Sequence, residues 1–156
     1  MTHEDFMRRA IALSRAHMEA GHGGPFGAVV VKDGAIVGEG WNEVTSANDP
    51  TAHAEVMAIR AAGRRLGTHD LGGAVIYTSC EPCPMCLAAI YWARLKCVYY
   101  ANGRADAAAI GFDDALLYEE IAAPPEKRSL PMVHLLGGEA LDVFDDWTAK
   151  PDKKAY

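Results

Sequence analysis

The amino-acid sequence predicts an α/β sandwich around a mixed sheet. Three observations carry that expectation: an amphipathic opening helix, a hairpin after it, and strand-like runs alternating with helical stretches beyond. Residues 3–20 form the first helix, because Phe6, Ala10 and Leu13 share one face, Ile11 flanks it, and Arg8, Arg9 and Arg15 mostly lie away. Thr2 suits its N-cap with Asp5 three residues on, and Gly21 marks the exit. Phe26–Val31 and Ala35–Gly40 read as strands around Lys32-Asp33-Gly34, since Asp-Gly between apolar runs is a hairpin signal. Asn42 to Pro50 is loop, rich in turn-forming residues. A helix follows from about Ala52 to Leu66, with Gly67 after it. The strand Ala74–Thr78 leads into a cysteine-rich segment, where Pro82 suits a helix start and Cys83–Ala93 continues it. Lys96–Ala101, rich in Val and Tyr, is the next strand. The tail holds a helix at Ala115–Ile121, a turn at Pro124-Pro125, a short apolar run at Met132–Leu136 and a helix from Glu139 to about Trp147. With no internal repeat, the 156 residues suit one domain. The segment Leu87–Ala93 is apolar nearly all the way round, so it is either a central core helix or one whose second face meets another subunit.

Composition narrows the function. Half the residues are hydrophobic and 23% are charged, with 15 basic against 21 acidic side chains for a net charge of −6. No basic run exceeds a pair such as Arg64-Arg65 or Lys153-Lys154, so the clustered footprint of a nucleic-acid binder is missing and no nucleic-acid partner is expected. Charged residues interrupt positions 1–20, so no cleavable signal is expected. No run of apolar residues is long enough to span a bilayer, so no membrane partner is expected. Three of the cysteines, Cys80, Cys83 and Cys86, crowd into one segment with Cys97 beyond it, which reads as a metal site in a reducing compartment; the expected location is the cytoplasm.

The chemistry concentrates in His53-Ala54-Glu55 and Pro82-Cys83-Pro84-Met85-Cys86. Cys83 and Cys86 stand at i and i+3 on a helix, so their sulfurs reach one ion, and His53 comes from the start of another helix. One imidazole and two thiolates hold Zn²⁺ with the fourth position open, the pattern of a catalytic site. First helical turns favour thiolate over thiol. Glu55, placed two residues after His53, reaches a water on the metal if the helix meets the ion end-on. The competing arrangement is a closed Cys₃His site that recruits Cys80 and leaves Glu55 without a purpose; against it, Cys80 reads as a strand-end packing residue and Cys97 as a buried core thiol. His3, His17, His22, His69 and His134 lack partnered cysteines.

These motifs, together with Gly24–Val31, Asn42, Asp49–Ala52, Thr78–Glu81, Gly111–Asp114 and the terminal Lys153-Lys154-Ala155-Tyr156, resemble the cytidine/nucleobase deaminase superfamily and, more closely, its guanine deaminase branch. The resemblance spans essentially the whole chain. It implies a three-layer α/β/α sandwich with a five-stranded mixed sheet, one Zn²⁺ per subunit held by His53, Cys83 and Cys86, and hydrolytic deamination. Zinc-bound hydroxide would attack C2 of guanine, with Glu55 as proton shuttle. Asp114 would join Glu55 in the catalytic group, and Phe26, Asn42, Ala54, Trp92, Asp114 and Tyr156 would contact substrate. Asn42 offers a base edge both donor and acceptor, yet also reads as a plain turn residue. Phe26 and Trp92 can stack on a purine, although lone aromatics equally serve a core. Asp114 can accept both N1–H and the exocyclic amine of guanine, or it can cap the helix that follows. By composition the tail is frayed and solvated; by resemblance, residues from about 148 to 156 exchange between subunits of a homodimer and Tyr156 closes the partner's pocket. A tRNA adenosine deaminase, another nucleobase or aminotriazine deaminase, and a non-enzymatic zinc module are the rival expectations.

Overall fold

The computed structural model describes residues 1–156, which divide into two compact units, Met1–Asp114 and Ala115–Tyr156. The first unit opens with α1 (His3–Glu19), whose start is closed by a reciprocal capping box between Thr2 and Asp5. Strands β1 (Gly27–Lys32) and β2 (Ala35–Trp41) pair antiparallel around Asp33 and Gly34, both at positive φ as a two-residue primed turn requires. A short helix, α2 (Val44–Ala47), lies in the loop before α3 (Ala54–Leu66). Strand β3 (Val75–Cys80), helix α4 (Pro84–Trp92), strand β4 (Cys97–Asn102) and helix α5 (Arg104–Ala109) complete the unit.

The sheet order is β2-β1-β3-β4, with β1 antiparallel to β3 and β3 parallel to β4. Alternation along β1 builds the layers. Ala28 and Val30 pack with Ala54, Ala58 and Ala62 of α3 and Ile90 of α4, while Val29 and Val31 pack with Phe6, Ala10 and Leu13 of α1. Helices thus cover both faces of a mixed sheet. The sheet has four strands, not the five that the resemblance implies. The short apolar run Met132–Leu136 makes no ladder. Pro131 before it has no N–H to donate, and Leu136 at its end is turned into the left-handed region at φ 55°. Cys97 is exposed rather than buried, because β4 is an edge strand that carries no buried residue.

Helix α3 carries part of the chemistry, and it lies unusually close to the sheet. Its alanine ridge rests on Gly38 and Gly40 of β2. A Cβ at Gly40 would fall on Ala54 O and Ala58 N, and one at Gly38 on Ala58 O and Ala62 N. Gly40→Ala is therefore expected to destabilise the fold by about 1–3 kcal/mol or more, since backbone cannot yield as a flexible side chain would. Gly138→Ala, with nothing within 4 Å of its Cβ, should stay within about 0.5 kcal/mol of the parent. Thermal denaturation checks both, and equal melting temperatures for Gly40→Ala and the parent would refute the close contact.

The second unit consists of α6 (Ala115–Ala122), a 3₁₀ turn (Pro125–Lys127) and α7 (Gly137–Ala149). Arg128 Nε donates to Glu120 O at 2.9 Å and Ala123 O at 3.1 Å, satisfying carbonyls at the end of α6. None of its residues is buried: Val133, Leu135 and Phe144 are 84%, 77% and 70% exposed.

Candidate metal centre

Two helix N-termini meet at the site. His53 is the N-cap of α3 and Cys83 the N-cap of α4, each in extended backbone, so both ligands stand one residue outside the helices rather than in their first turns. Neither side chain caps its own helix, which leaves imidazole and thiol for another task. Pro84 occupies the first helical position, where its missing N–H costs nothing, and Cys86 follows on the same face.

His53 Nδ1 lies 3.6 Å from Cys83 Sγ and 3.5 Å from Cys86 Sγ, and the three donor atoms fall within 4.8 Å of one another. Tetrahedral zinc, with bonds near 2.05 Å to nitrogen and 2.3 Å to sulfur, sets nitrogen–sulfur edges of about 3.6 Å. The donor set therefore fits zinc in both chemistry and size. Cys80 stays outside the cluster. It ends β3 buried, its Sγ faces Gly103 O at 4.0 Å, and burial pushes its thiol up to about 11. A closed Cys₃His site is thereby set aside.

The electrostatics suit thiolate ligation. Hydrogen bonding from the Cys86 thiol and then the His53 ring holds Cys83 down to about 4, and the same contact with Cys83 together with burial pushes Cys86 up. His53 is raised chiefly by its contact with Cys83. Glu55 is buried beside these groups, and desolvation raises its carboxyl above the usual range. Thr78, fully buried on β3, donates its hydroxyl to Cys80 O at 2.9 Å while the same oxygen stands 3.4 Å from Glu55 Oε1. Glu55 Oε1 is thus a second, more distant acceptor for the same hydroxyl. Thr78 was not among the expected site residues, and a threonine inside a strand run gives no sign of it.

The expected substrate residues scatter more. Asn42 is buried, and its Oδ1 accepts from the backbone N–H of Gly24 at 3.2 Å and Val44 at 3.1 Å, so its carbonyl serves the turn. Ala54 is fully buried as the first residue of α3. Phe26 meets Phe112 edge-on at 4.9 Å and 89°. Asp114 pairs with Arg104 Nε at 3.4 Å. Trp92 sits 67% exposed at the far end of α4, and six residues of helix rise put it about 9 Å along the axis from Cys86. Tyr156 belongs to the second unit and is 75% exposed.

A histidine and two cysteines at two helix N-termini, with a buried glutamate two residues after the histidine, define a zinc-dependent deaminase. The chain belongs to the cytidine and deoxycytidylate deaminase family, whose zinc-binding region matches residues 1–102. Along its whole length it is similar to the guanine deaminase of Bacillus subtilis (strain 168), at 54% identity over 156 residues and all of both chains. An X-ray structure of guanine deaminase from Bacillus subtilis superposes with a TM-score of 0.97, covering 100% of this chain and 99% of that one at 54% identity. The tRNA-specific adenosine deaminase of Aquifex aeolicus (strain VF5) is 40% identical over 101 residues, 65% of this chain and 66% of its own.

Proposed function

We propose that this chain hydrolyses guanine to xanthine and ammonia, with the whole chain acting as one deaminase domain. The observation that carries the reading is where the similarity extends. The family's zinc-binding region ends at residue 102, and beyond it the similarity to guanine deaminase continues to the last residue. Asp114 and Tyr156, the residues argued to select guanine, lie in that added stretch.

His53, Cys83 and Cys86 hold the zinc, which supplies a Lewis acid that acidifies water. Glu55 takes a proton from the attacking water, passes it to guanine N3, and later delivers one to the departing amine so that ammonia leaves. The oxygen of that water becomes the new carbonyl at C2. A carboxyl whose burial favours its protonated form suits a group that must hold the proton between transfers. Asp114 accepts the N1–H and amine edge of guanine, and Phe26, Asn42 and Ala54 form the remaining contacts. Trp92, at the far end of α4, takes part only from another subunit.

Incubating the zinc-loaded protein with guanine, cytosine, adenine and an adenosine-containing tRNA stem-loop, and following ammonia release, tests the reading. Guanine should react fastest, and preference for cytosine or the stem-loop would overturn it. The net charge of −6 also speaks against a polyanionic substrate.

The functional unit is a homodimer that exchanges its C-terminal segment. Tyr91 and Trp92 on α4 are 76% and 67% exposed, and the second unit has no buried residue, so both surfaces call for a partner of the same kind. The exchanged tail brings Tyr156 over the partner's pocket and excludes water. Deleting residues 152–156 is then expected to lower kcat/KM for guanine about 100-fold with zinc content unchanged; unaltered activity would sink the lid. With Cys83 and Cys86 on the metal and Cys80 and Cys97 in no disulfide, the cysteines suit a cytoplasmic location.

A further inference from the structure

A relay of contacts ties Asp114 to the cysteine loop. Glu81 lies between Cys80 at the end of β3 and the Pro82-Cys83 entry to α4; its backbone N–H donates to Asn102 O at 2.8 Å. Its carboxylate accepts from the backbone N–H of Arg104, the first residue of α5, at 3.0 Å. After α5 the chain reverses at Gly111, whose φ of 96° suits glycine, with Gly111 N–H on Ala108 O and Phe112 N–H on Ala107 O, both at 3.0 Å. The reversal returns Asp114 to the start of α5, where Arg104 Nε stands 3.4 Å from its Oδ1. The carboxylate is the more enclosed partner, at 18% exposure against 42% for the arginine.

At such exposure an ion pair adds little to stability, so what the pair offers is geometry. We propose that Arg104 is a positioning residue for substrate specificity: it fixes the Asp114 carboxylate, in register with the loop that bears Cys83, for the amidine edge of guanine. The proposal rests on the reading of Asp114 as the guanine acceptor. A carboxylate has about four lone-pair sites on its two oxygens. Arg104 Nε stands against Oδ1 alone, and the two oxygens together offer sites enough for N1–H and the amine. A carboxylate free to rotate presents that pair of acceptors only part of the time, and binding then has to order it. Lysine supplies the charge at this place but not the planar, directional N–H.

A double-mutant cycle in kcat/KM for guanine tests this, using zinc-loaded Arg104→Gln, Arg104→Lys, Asp114→Asn and the Arg104→Gln/Asp114→Asn pair, with melting temperatures alongside. Arg104→Gln and Asp114→Asn should each lower kcat/KM roughly tenfold or more, because a buried polar edge of the substrate loses its fixed partner. Arg104→Lys should recover only part of the loss. In the Asp114→Asn background, Arg104→Gln should have almost no further effect, since the group it holds is gone. An equal loss from Arg104→Gln in both backgrounds assigns Arg104 to the stability of α5 and overturns the proposal. A loss with Asp114→Asn but none with Arg104→Gln overturns the positioning role and spares the acceptor. Parent-like activity in Asp114→Asn overturns the acceptor reading itself.

Discussion

Glu55→Gln is expected to keep one zinc per subunit and to lower kcat for guanine by about 10²–10⁴-fold, the usual range for a positioned general acid–base group. The upper end is the better expectation, because Glu55 serves the attacking water, the ring nitrogen and the leaving amine in turn. The substitution is nearly isosteric, so it opens no cavity. It also replaces an acid that is buried beside the two cysteine ligands by a neutral amide, which removes a desolvation cost. The variant should therefore melt no lower than the parent, separating lost chemistry from lost fold. Glu55→Ala should behave alike in zinc content and turnover, with the added penalty of a cavity. Zinc analysis, steady-state kinetics and thermal denaturation on the same preparations decide the matter. Retained turnover in Glu55→Gln would leave a zinc-binding module with no catalytic carboxylate and end the deaminase mechanism.

Legibility in the sequence followed how local each signal is. The capping box at Thr2 and Asp5 and the Asp33-Gly34 turn act within a few residues and stand where their residues predict, whereas the helix expected to start at Pro82 begins two residues later, at Pro84. The metal trio was legible because ligand spacing on one helix is a local property, and only His53 had to be brought in from afar. Four features needed information that spacing does not hold. Cys97 reads as a core thiol beside Val98 and Tyr99, and only the strand order shows that β4 is an edge. Asn42 has one carbonyl oxygen, and whether a turn or a ligand takes it depends on where Gly24 passes. Trp92 shares a helix with the metal ligand Cys86, but helical rise carries it away from the site. Arg104 shows no periodicity, and its role exists only because Gly111 folds Asp114 back on it.

Removing a zinc ligand should cost both activity and stability, and should tell the ligands apart from Cys80. Cys86 is fully buried at the meeting of α3 and α4, so zinc bound there ties the two helix ends together. Metal that binds the native state alone adds stability by mass action, about 4 kcal/mol when free zinc exceeds its dissociation constant 1,000-fold. Parent protein stripped with chelator should melt well below the zinc-loaded form and regain its melting temperature when zinc is restored. Cys86→Ala and His53→Ala should show no such zinc-dependent rise and no measurable deamination, since the remaining donors cannot complete the site. Cys80→Ala should keep the full zinc-dependent rise and most of its activity, because its thiol lies outside the donor cluster and serves packing at the strand end. Truncating that buried side chain lowers the melting temperature of the stripped and loaded forms alike, so the difference between them isolates the metal. Loss of that difference in Cys80→Ala would place Cys80 on the ion, close the fourth position against water, and remove the open site on which hydrolysis depends.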